Sequence, residues 1–134
     1  VYNFITELMD VCPTIEELCS LPPRMTHGES LVKILTGEKK ERDKKYARCE
    51  HFDIGKKHPC NATMYAEGDF KLAIYHGSGF GELFNLKDDP GEINNLYFNP
   101  EYAEIKAELT FKMLDSLMVN ADYGKGLVEY KGGI

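Results

Sequence analysis

Two cysteines and two histidines form the group of residues in this chain that most resembles a set of metal ligands. Cys49-x-His51 is followed, after six residues, by His58-x-Cys60, and thiolate and imidazole are the usual ligands of tetrahedral zinc. On a β-strand, Cys49 and His51 would lie on the same face. The spacing matches no standard zinc finger or ribbon, however, and two lysines lie between the halves. We therefore predict no metal site and interpret these residues as a core thiol at one or both cysteines and surface histidines, with a zinc module as the weakest alternative.

A nucleophilic serine or cysteine needs a histidine base and a third group that orients the base. The sequence contains no G-x-S-x-G, H-E-x-x-H, Walker or dinucleotide-binding pattern. Residues 77–81 are rich in glycine, but they lack the lysine and the strand-to-helix context of a phosphate loop, so they predict a hairpin turn. Asp88 and Asp89 precede Pro90 and are interpreted as turn formers. We predict no catalytic residue in this chain.

Apolar residues recur close to the helical period in three segments. We predict a helical or extended entry up to Asp10, a helix over residues 13–20 that begins at Pro13, and a short helix over residues 28–35. Both helices are expected to face the core. The longest helix is predicted after Pro100, where an apolar stripe consists of Tyr102, Ile105, Leu109, Met113 and Leu117.

Short segments rich in β-branched and aromatic residues predict four strands, at residues 46–53, 63–65, 70–75 and 82–86. Glycine-containing separators between the later segments favour antiparallel hairpins. Residues 39–45, KKERDKK, contain no apolar side chain and are expected to form a solvated loop. The predicted fold class is therefore α+β: a small antiparallel sheet of about four strands packed against a long C-terminal helix, with short N-terminal helices.

Length and charge limit the classes of protein to which the chain can belong. Its 134 residues fit a single domain, and 16 basic against 22 acidic residues give a net charge of −6, which argues against nucleic acid as a partner. No apolar run reaches the roughly 18 residues of a membrane helix, so no membrane span is expected. Four cysteines without framework spacing are expected to be free thiols, which favours the cytoplasm. Because residue 1 is valine, we expect a processed product or a piece of a longer protein, so a removed signal and a periplasmic or secreted location stay open.

Four motifs, in their order along the chain, resemble one protein family. They read M-D-V-C-P-T-I-E-E-L-C, G-E-S-L-V-K-I-L-T-G-E, F-K-L-A-I-Y and E-L-F-N-L-K-D-D-P-G-E-I-N-N-L. Their order and spacing, from about residue 8 to residue 118, are similar to the C-terminal part of the arylsulfatase-type, formylglycine-dependent sulfatases. The matching positions are Asp10, Pro13 and Thr14; Gly28, Ser30 and Leu31; Phe70, Lys71 and Leu72; and Glu82, Leu83, Leu86, Asp89, Pro90, Glu92, Asn95 and Leu96.

The resemblance implies a four-stranded sheet with a terminal helix, appended to a large α/β catalytic domain. In that family the nucleophile is a formylglycine made in a C-x-P-x-R or S-x-P-x-R motif of the large domain. Asp and Asn residues that also precede the matched region hold a divalent cation, calcium or magnesium. No cysteine of this chain stands in such a motif, and Ala66 replaces an arginine of many relatives. The implied function is that of a sulfatase C-terminal piece, inactive alone, within an enzyme that hydrolyses sulfate esters.

The resemblance also implies different roles along the chain, residues 1–134. Residues 1–38 would adjoin the large domain, residues 45–119 would form the sheet and terminal helix, and residues 120–134 an irregular tail that docks or frays. The implied partners are an N-terminal catalytic domain and a sulfated small molecule or glycan.

Glu50 and His51 are the candidate substrate-binding residues, because polar groups at a strand end can reach a neighbouring cleft. The sequence does not indicate which sulfate ester would be bound. The alternative function is a non-catalytic binding or self-association module, such as a homodimer. It would use the apolar face that otherwise meets the large domain.

Overall fold

Short helices, a four-stranded sheet and one long helix follow each other along the chain. The computed structural model describes residues 4–24, 26–53 and 60–121. The helices are a 3-10 turn (Leu8–Asp10), α1 (Val11–Leu18), α2 (Val32–Leu35), a second 3-10 turn (Pro100–Tyr102) and α3 (Ala103–Ala121). The strands are β1 (Tyr46–Phe52), β2 (Asn61–Glu67), β3 (Phe70–Tyr75) and β4 (Phe80–Asn85). The predicted α+β class is confirmed.

The sheet is an antiparallel meander in the order β1-β2-β3-β4. Arg48 lies opposite Tyr65, Tyr65 opposite Leu72, and Leu72 opposite Leu83. Directly paired residues project to the same side of a sheet. This row therefore defines one side, which we call the helix face because α3 packs against it.

The core lies between the helix face and α3. Leu72 and Leu83 are fully buried and form one cluster with Leu109 and Met113 of the helix. Burial of a side chain of this size contributes about 1.5–3 kcal/mol, so these contacts are the main reason that α3 stays on the sheet. The long predicted helix and its inward stripe are confirmed. Within the described ranges no helix has the length and apolar character needed to cross a membrane.

Glycines make the two tight turns of the meander. Gly68 connects β2 to β3, and Gly77 and Gly79 connect β3 to β4, all three with positive φ. Since only glycine adopts this conformation without strain, the interpretation of residues 77–81 as a hairpin turn is confirmed. The third predicted strand has the observed bounds, whereas β2 extends two residues further at each end than predicted.

The expectation that both N-terminal helices face the core is wrong for α1. Its buried residues are Thr14 and Glu16, while Ile15 and Leu18 are exposed. The polar side of α1 is turned inward because it hydrogen-bonds the loop before α2. That second helix is also shorter than predicted, since residues 28–31 are not helical and only Ile34 of α2 is buried.

The expectation that residues 39–45 form a solvated loop is wrong at one position. Lys39, Lys40 and Lys45 are exposed, but Arg42 is 6% exposed and its guanidinium contacts a buried carboxylate. At the other end of the chain, α3 continues to Ala121, two residues into the predicted irregular tail. The remainder of that tail, residues 122–134, lies outside the described residues.

Candidate functional site

The two predicted substrate-binding residues are neighbours on β1 and therefore project to opposite sides of the sheet. Glu50 pairs with Thr63 and lies on the helix face with Arg48. His51 pairs with Ala62 and lies on the other face, as does Cys49. Both are exposed. The structure thus places the two residues at the strand end, as predicted, but does not bring their side chains together.

Arg48 holds the Glu50 carboxylate in place. Its Nη2 atom lies 3.1 Å from Glu50 Oε1, and its side chain is only 10% exposed. Beside them is a hollow of about 380 Å³, lined by residues 7–9, by Arg48, Cys49 and Glu50 of β1, and by Met64. Arg48 was not among the predicted site residues. Its position two residues before Glu50 on a strand was the signal that the two share a face.

The N-terminal segment covers the free edge of β1. The Arg48 backbone N–H donates to Glu7 Oε1 over 2.7 Å, and Lys44 forms an ion pair with the other oxygen of Glu7. A side chain thus satisfies an edge-strand donor that would otherwise be open to a second chain. A second hollow, of about 280 Å³, lies here between Glu7, His27, Lys44, Arg48 and their neighbours.

A buried carboxylate lies behind this edge. Asp10 is fully buried, and its Oδ2 accepts from Arg42 Nη1 at 2.8 Å and from the Glu7 N–H at 2.9 Å. Its Oδ1 accepts from the Glu29 N–H at 2.9 Å, with Lys44 Nζ 3.6 Å away. Burial alone would raise the pKa of Asp10, but the hydrogen bonds from Arg42 and the two backbone amides outweigh it and lower the pKa to about 2. Asp10 is therefore a permanently charged anchor and not a proton donor near neutral pH.

The first two family-like motifs are explained by one contact between α1 and the loop before α2. Thr14 Oγ1 donates to Asp10 O at 2.6 Å and accepts from the Leu31 N–H at 2.9 Å. The loop before α2 is thus bound at two backbone N–H groups: that of Glu29 by the Asp10 side chain and that of Leu31 by the Thr14 side chain. A Cβ atom on Gly28 would lie 2.1 Å from Met9 O. Glycine is required at position 28 because the two backbones touch.

Asn95 of the last motif connects the segment after β4 to the backbone of β4. Its Oδ1 accepts from the N–H groups of Leu83 (3.1 Å) and Tyr97 (3.0 Å), and its Nδ2 donates to Gly81 O at 3.1 Å. Asp89 shapes the preceding turn, since its Oδ2 accepts from the N–H groups of Ile93 (2.8 Å) and Asn94 (2.7 Å). The interpretation of Asp89 as a turn former is confirmed.

The proposed zinc ligands do not form a cluster in the part of the chain that the structure describes. Cys49 and Cys60 are both exposed, so the interpretation of a core thiol is wrong. His51 is also exposed, and His58 lies outside the described residues. The four cysteines are free thiols, as expected. Within residues 4–24, 26–53 and 60–121 there is no group of three or more His, Cys, Asp or Glu side chains that could hold a metal ion. These residues therefore do not fit the divalent cation implied by the family.

The serine form of the formylglycine pattern occurs once, in residues 20–24, which read Ser-Leu-Pro-Pro-Arg. Ser20 follows α1 with a φ of 54°, and its N–H donates to Glu17 O at 3.1 Å. Arg24 is bound to the carboxylate of Glu16 and donates toward Cys12 Sγ at 3.6 Å. These contacts hold residues 20–24 against the end of α1.

Comparison with known proteins identifies the family. The model of the N-sulphoglucosamine sulphohydrolase C-terminal family matches residues 2–130. The Delta 4,5-hexuronate-2-O-sulfatase of Bacteroides thetaiotaomicron is 31% identical over 101 residues, which are 75% of this chain and 21% of that protein. The chain spans about a quarter or less of the length of such relatives.

Solved structures agree with this result. A 2-O GAG sulfatase superposes with a TM-score of 0.75 at 29% identity, over 84% of this chain and 25% of that one. A protein solved with its substrate, D-glucosamine-2-N,6-O-disulfate, superposes with a TM-score of 0.69 at 25% identity, over 87% of this chain and 25% of that one. The match over nearly the whole chain, together with the buried motif residues, shows that this chain belongs to the N-sulphoglucosamine sulphohydrolase C-terminal family.

Proposed function

We propose that this chain is the C-terminal subdomain of a sulfatase whose catalytic domain precedes it. It would support the fold of the whole enzyme and shape one side of the substrate pocket. The family match over residues 2–130 carries this proposal. We place the nucleophile and the cation, calcium or magnesium, in the catalytic domain, as the resemblance to the family implies.

The proposed docking surface for that domain lies within residues 1–38. α1 and the turn before it present their apolar side chains outward: Leu8 is 88% exposed, and Val11, Ile15 and Leu18 are also exposed. The opposite side of α1 is occupied by the hydrogen bonds of Asp10 and Thr14, so the helix cannot rotate to bury these residues within the described chain. A contiguous apolar surface of this kind is typical of an interface.

The proposed substrate is a sulfate ester on a sugar. Two similar proteins support this class: one is named for a sulfated hexuronate and another is solved with a disulfated glucosamine, although a phosphonate monoester hydrolase also superposes on the chain. Glu50 and His51 remain the proposed contributors from this subdomain. Because they lie on opposite faces of β1, only one is expected to face the pocket. We propose His51, since Arg48 already binds Glu50.

The first experiment measures the mass of the native polypeptide in its source cells with an antibody against this chain. A band several times 15.2 kDa that hydrolyses sulfated sugars would support the proposal. Mass spectrometry should then find formylglycine upstream, while the peptide containing Ser20 keeps its hydroxyl and shows no loss of two hydrogen atoms. A native band at 15.2 kDa without sulfatase activity would contradict it.

The docking surface is tested in the whole enzyme with Ile15→Lys and Leu18→Lys together. These side chains are already exposed, so the subdomain itself should fold, whereas contact with the catalytic domain should be lost and activity reduced. Ile93→Lys is the matched control, because Ile93 is 87% exposed at the other end of the subdomain. Equal activity in all three proteins would rule out this surface.

The role of His51 is tested by the kinetics of His51→Ala and Glu50→Gln. We expect His51→Ala to raise KM for the natural substrate or to change substrate preference, with a smaller effect of Glu50→Gln. Unchanged kinetics in both variants would remove these residues from the pocket.

The alternative function, a self-association module, is supported by the same exposed side of α1. It predicts a dimer of the isolated chain on size-exclusion chromatography, which Ile15→Lys would dissociate. A monomer at micromolar concentration would argue against it.

A further inference from the structure

A row of four directly paired residues crosses the sheet on the face opposite α3. His51 lies opposite Ala62, Ala62 opposite Tyr75, and Tyr75 opposite Phe80. Directly paired residues project to the same side of a sheet, so these side chains lie next to one another on the face of His51. We call the four residues the cross-strand row. It starts at the residue proposed to contact the substrate and reaches across all four strands.

Aromatic rings continue the row beyond β4. The ring centroids of Tyr75 and Phe80 are 5.3 Å apart, and those of Phe80 and Phe98 are 6.2 Å apart. Phe80 is 43% exposed and Phe98 65%. A directly opposite aromatic pair stabilises a hairpin, which accounts for Tyr75 and Phe80. It does not account for Phe98, which follows β4 in the chain and is mostly exposed, so the far end of the row is an accessible aromatic surface.

Polar groups border these rings. Glu82 is two residues from Phe80 on β4, so both lie on the same face, and Tyr75 Oη donates to Glu82 Oε2 at 3.3 Å. Apolar rings with a few hydrogen-bonding groups at their edge fit a sugar ring, which has C–H groups on its faces and hydroxyl groups around its rim. The Glu82 carboxylate accepts from hydroxyl or amide groups and repels sulfate. The sugar that fits this end of the row is therefore unsulfated.

The row is longer than one sugar. Neighbouring strands are about 4.8 Å apart, so the backbones of β1 and β4 are about 14 Å apart along the row. Ala62 lies between His51 and Tyr75, and its small side chain leaves space between the two larger ones. These dimensions fit a short chain of sugars that lies across the strands.

The N-terminal segment gives the row an orientation. This segment covers the free edge of β1, where the Arg48 N–H donates to Glu7 Oε1. The apolar surface proposed to meet the catalytic domain begins at the next residue, Leu8, which places that domain on the β1 side of the sheet. His51 is then the end of the row nearer to the catalytic domain, and Phe80 with Phe98 is the distant end.

We propose that the cross-strand row and Phe98 bind a saccharide chain, with its sulfated sugar at His51 and an unsulfated sugar of the same chain stacked on Phe80 and Phe98. This inference rests on the proposed function and deepens it, because the substrate becomes a sulfated oligosaccharide or polysaccharide and not a free sulfated sugar. If the catalytic domain or a second copy of the chain covers these rings instead, the experiments below give different results.

The first test measures binding without turnover, by titration calorimetry of the whole enzyme. The probes are heparosan tetrasaccharide, an unsulfated chain of N-acetylglucosamine and glucuronate, and N-acetylglucosamine alone. We expect the tetrasaccharide to bind about tenfold more tightly, and Phe80→Ala with Phe98→Ala to remove this advantage. Phe80→Tyr with Phe98→Tyr keeps the rings and should bind like the wild type. Phe111→Ala is the matched control, because Phe111 is 66% exposed but lies on α3.

The second test asks whether the row serves the reaction. Its substrates are D-glucosamine-2-N,6-O-disulfate and a heparan sulfate tetrasaccharide that ends in this sugar. In the double alanine variant we expect KM for the tetrasaccharide to rise about tenfold with kcat unchanged, and both constants for the single sugar to stay at wild-type values. Phe98→Ala alone, outside the sheet, should show part of this effect if the double variant is unstable.

Three results would overturn the proposal. A tetrasaccharide that binds the wild type no more tightly than the single sugar would leave the rings without a ligand. Equal losses on both substrates would assign the rings to the contact with the catalytic domain, and losses that depend on protein concentration would assign them to a second copy. If neither substrate is hydrolysed, the proposed function fails, whereas the calorimetry still decides whether the row binds a saccharide chain.

Discussion

Asp10 Oδ2 and Arg42 Nη1 lie 2.8 Å apart although the residues are 32 positions apart in the chain, and both side chains are almost completely buried. Arg42 Nη1 also donates to Ile5 O at 2.8 Å. One guanidinium thus ties the N-terminal segment and the turn before α1 to the loop that enters β1. The surface of α1 proposed to contact a catalytic domain depends on this pair for its position.

Removal of Arg42 should strongly destabilise the subdomain. Arg42→Ala leaves the Asp10 carboxylate buried without its main partner, which costs about 3–5 kcal/mol for a pair of this kind. The measurement is the free energy of unfolding in urea. Lys40→Ala is the control, because Lys40 is exposed in the same loop. Equal stability of the two variants would show that the pair contributes nothing.

The same carboxylate should make stability fall in acid. The pKa of Asp10 is about 2 in the folded chain, below the ordinary value of 3.8, so the charged form stabilises the fold at pH above about 4 and this contribution is lost as the pH falls toward 2. The loss amounts to about 2 kcal/mol. Asp10→Asn should be less stable than the wild type at pH 6, and its stability should change less between pH 4 and pH 2. Parallel pH profiles for the two proteins would contradict this assignment.

Gly28→Ala should destabilise the contact between α1 and the following loop. The new Cβ would lie 2.1 Å from Met9 O, a backbone atom that cannot move without shifting the turn before α1. We expect a loss of about 2–4 kcal/mol, within the range of overpacking and strain. Gly91→Ala is the matched control, because its nearest neighbour would be Ile93 Cδ1 at 3.4 Å. Chemical denaturation of both variants gives the comparison, and a harmless Gly28→Ala would mean that the loop does not lie against Met9.

The two neighbouring asparagines of the last motif should respond very differently to alanine. Asn95→Ala removes three hydrogen bonds to the backbone of residues 81, 83 and 97, each worth about 0.5–1.5 kcal/mol because these groups are part-buried or exposed and water can reach them. Asn94 contributes only its backbone N–H to Asp89, so Asn94→Ala should change stability by less than about 0.5 kcal/mol. Thermal unfolding of the pair distinguishes them. A similar loss in both would place the Asn95 contacts outside the folded core.

Much of the sheet and the long helix could be predicted from local pattern. β3 and α3 carry apolar residues at periods of two and of three to four, and this pattern survives because Leu72, Leu109 and Met113 meet in one core. The hairpin turns were predictable for the same reason: a positive φ at Gly77 and Gly79 is a property of the residue itself. The order of the family-like motifs was also readable without coordinates, and the family match confirms it.

The candidate site was less accessible to such reasoning. Glu50 and His51 are adjacent and polar, and the sequence placed both at a strand end. Adjacent residues on a strand lie on opposite faces, so the sequence already separates their two side chains. Only the pairing of Arg48 with Tyr65, and of Tyr65 with Leu72, shows that the face of Glu50 is the one that packs against α3.

The sequence by itself determined the element types, the turns and the membership of a sulfatase family, because these depend on residues that are near each other or in a characteristic order. Only the tertiary structure decided which side of α1 turns inward and which residue of KKERDKK is buried. An arginine without a partner is more stable in water than in the protein interior. Arg42 is buried because it forms an ion pair with the buried carboxylate of Asp10. Such a pair is a property of two distant segments in contact, and no local pattern in either segment contains it.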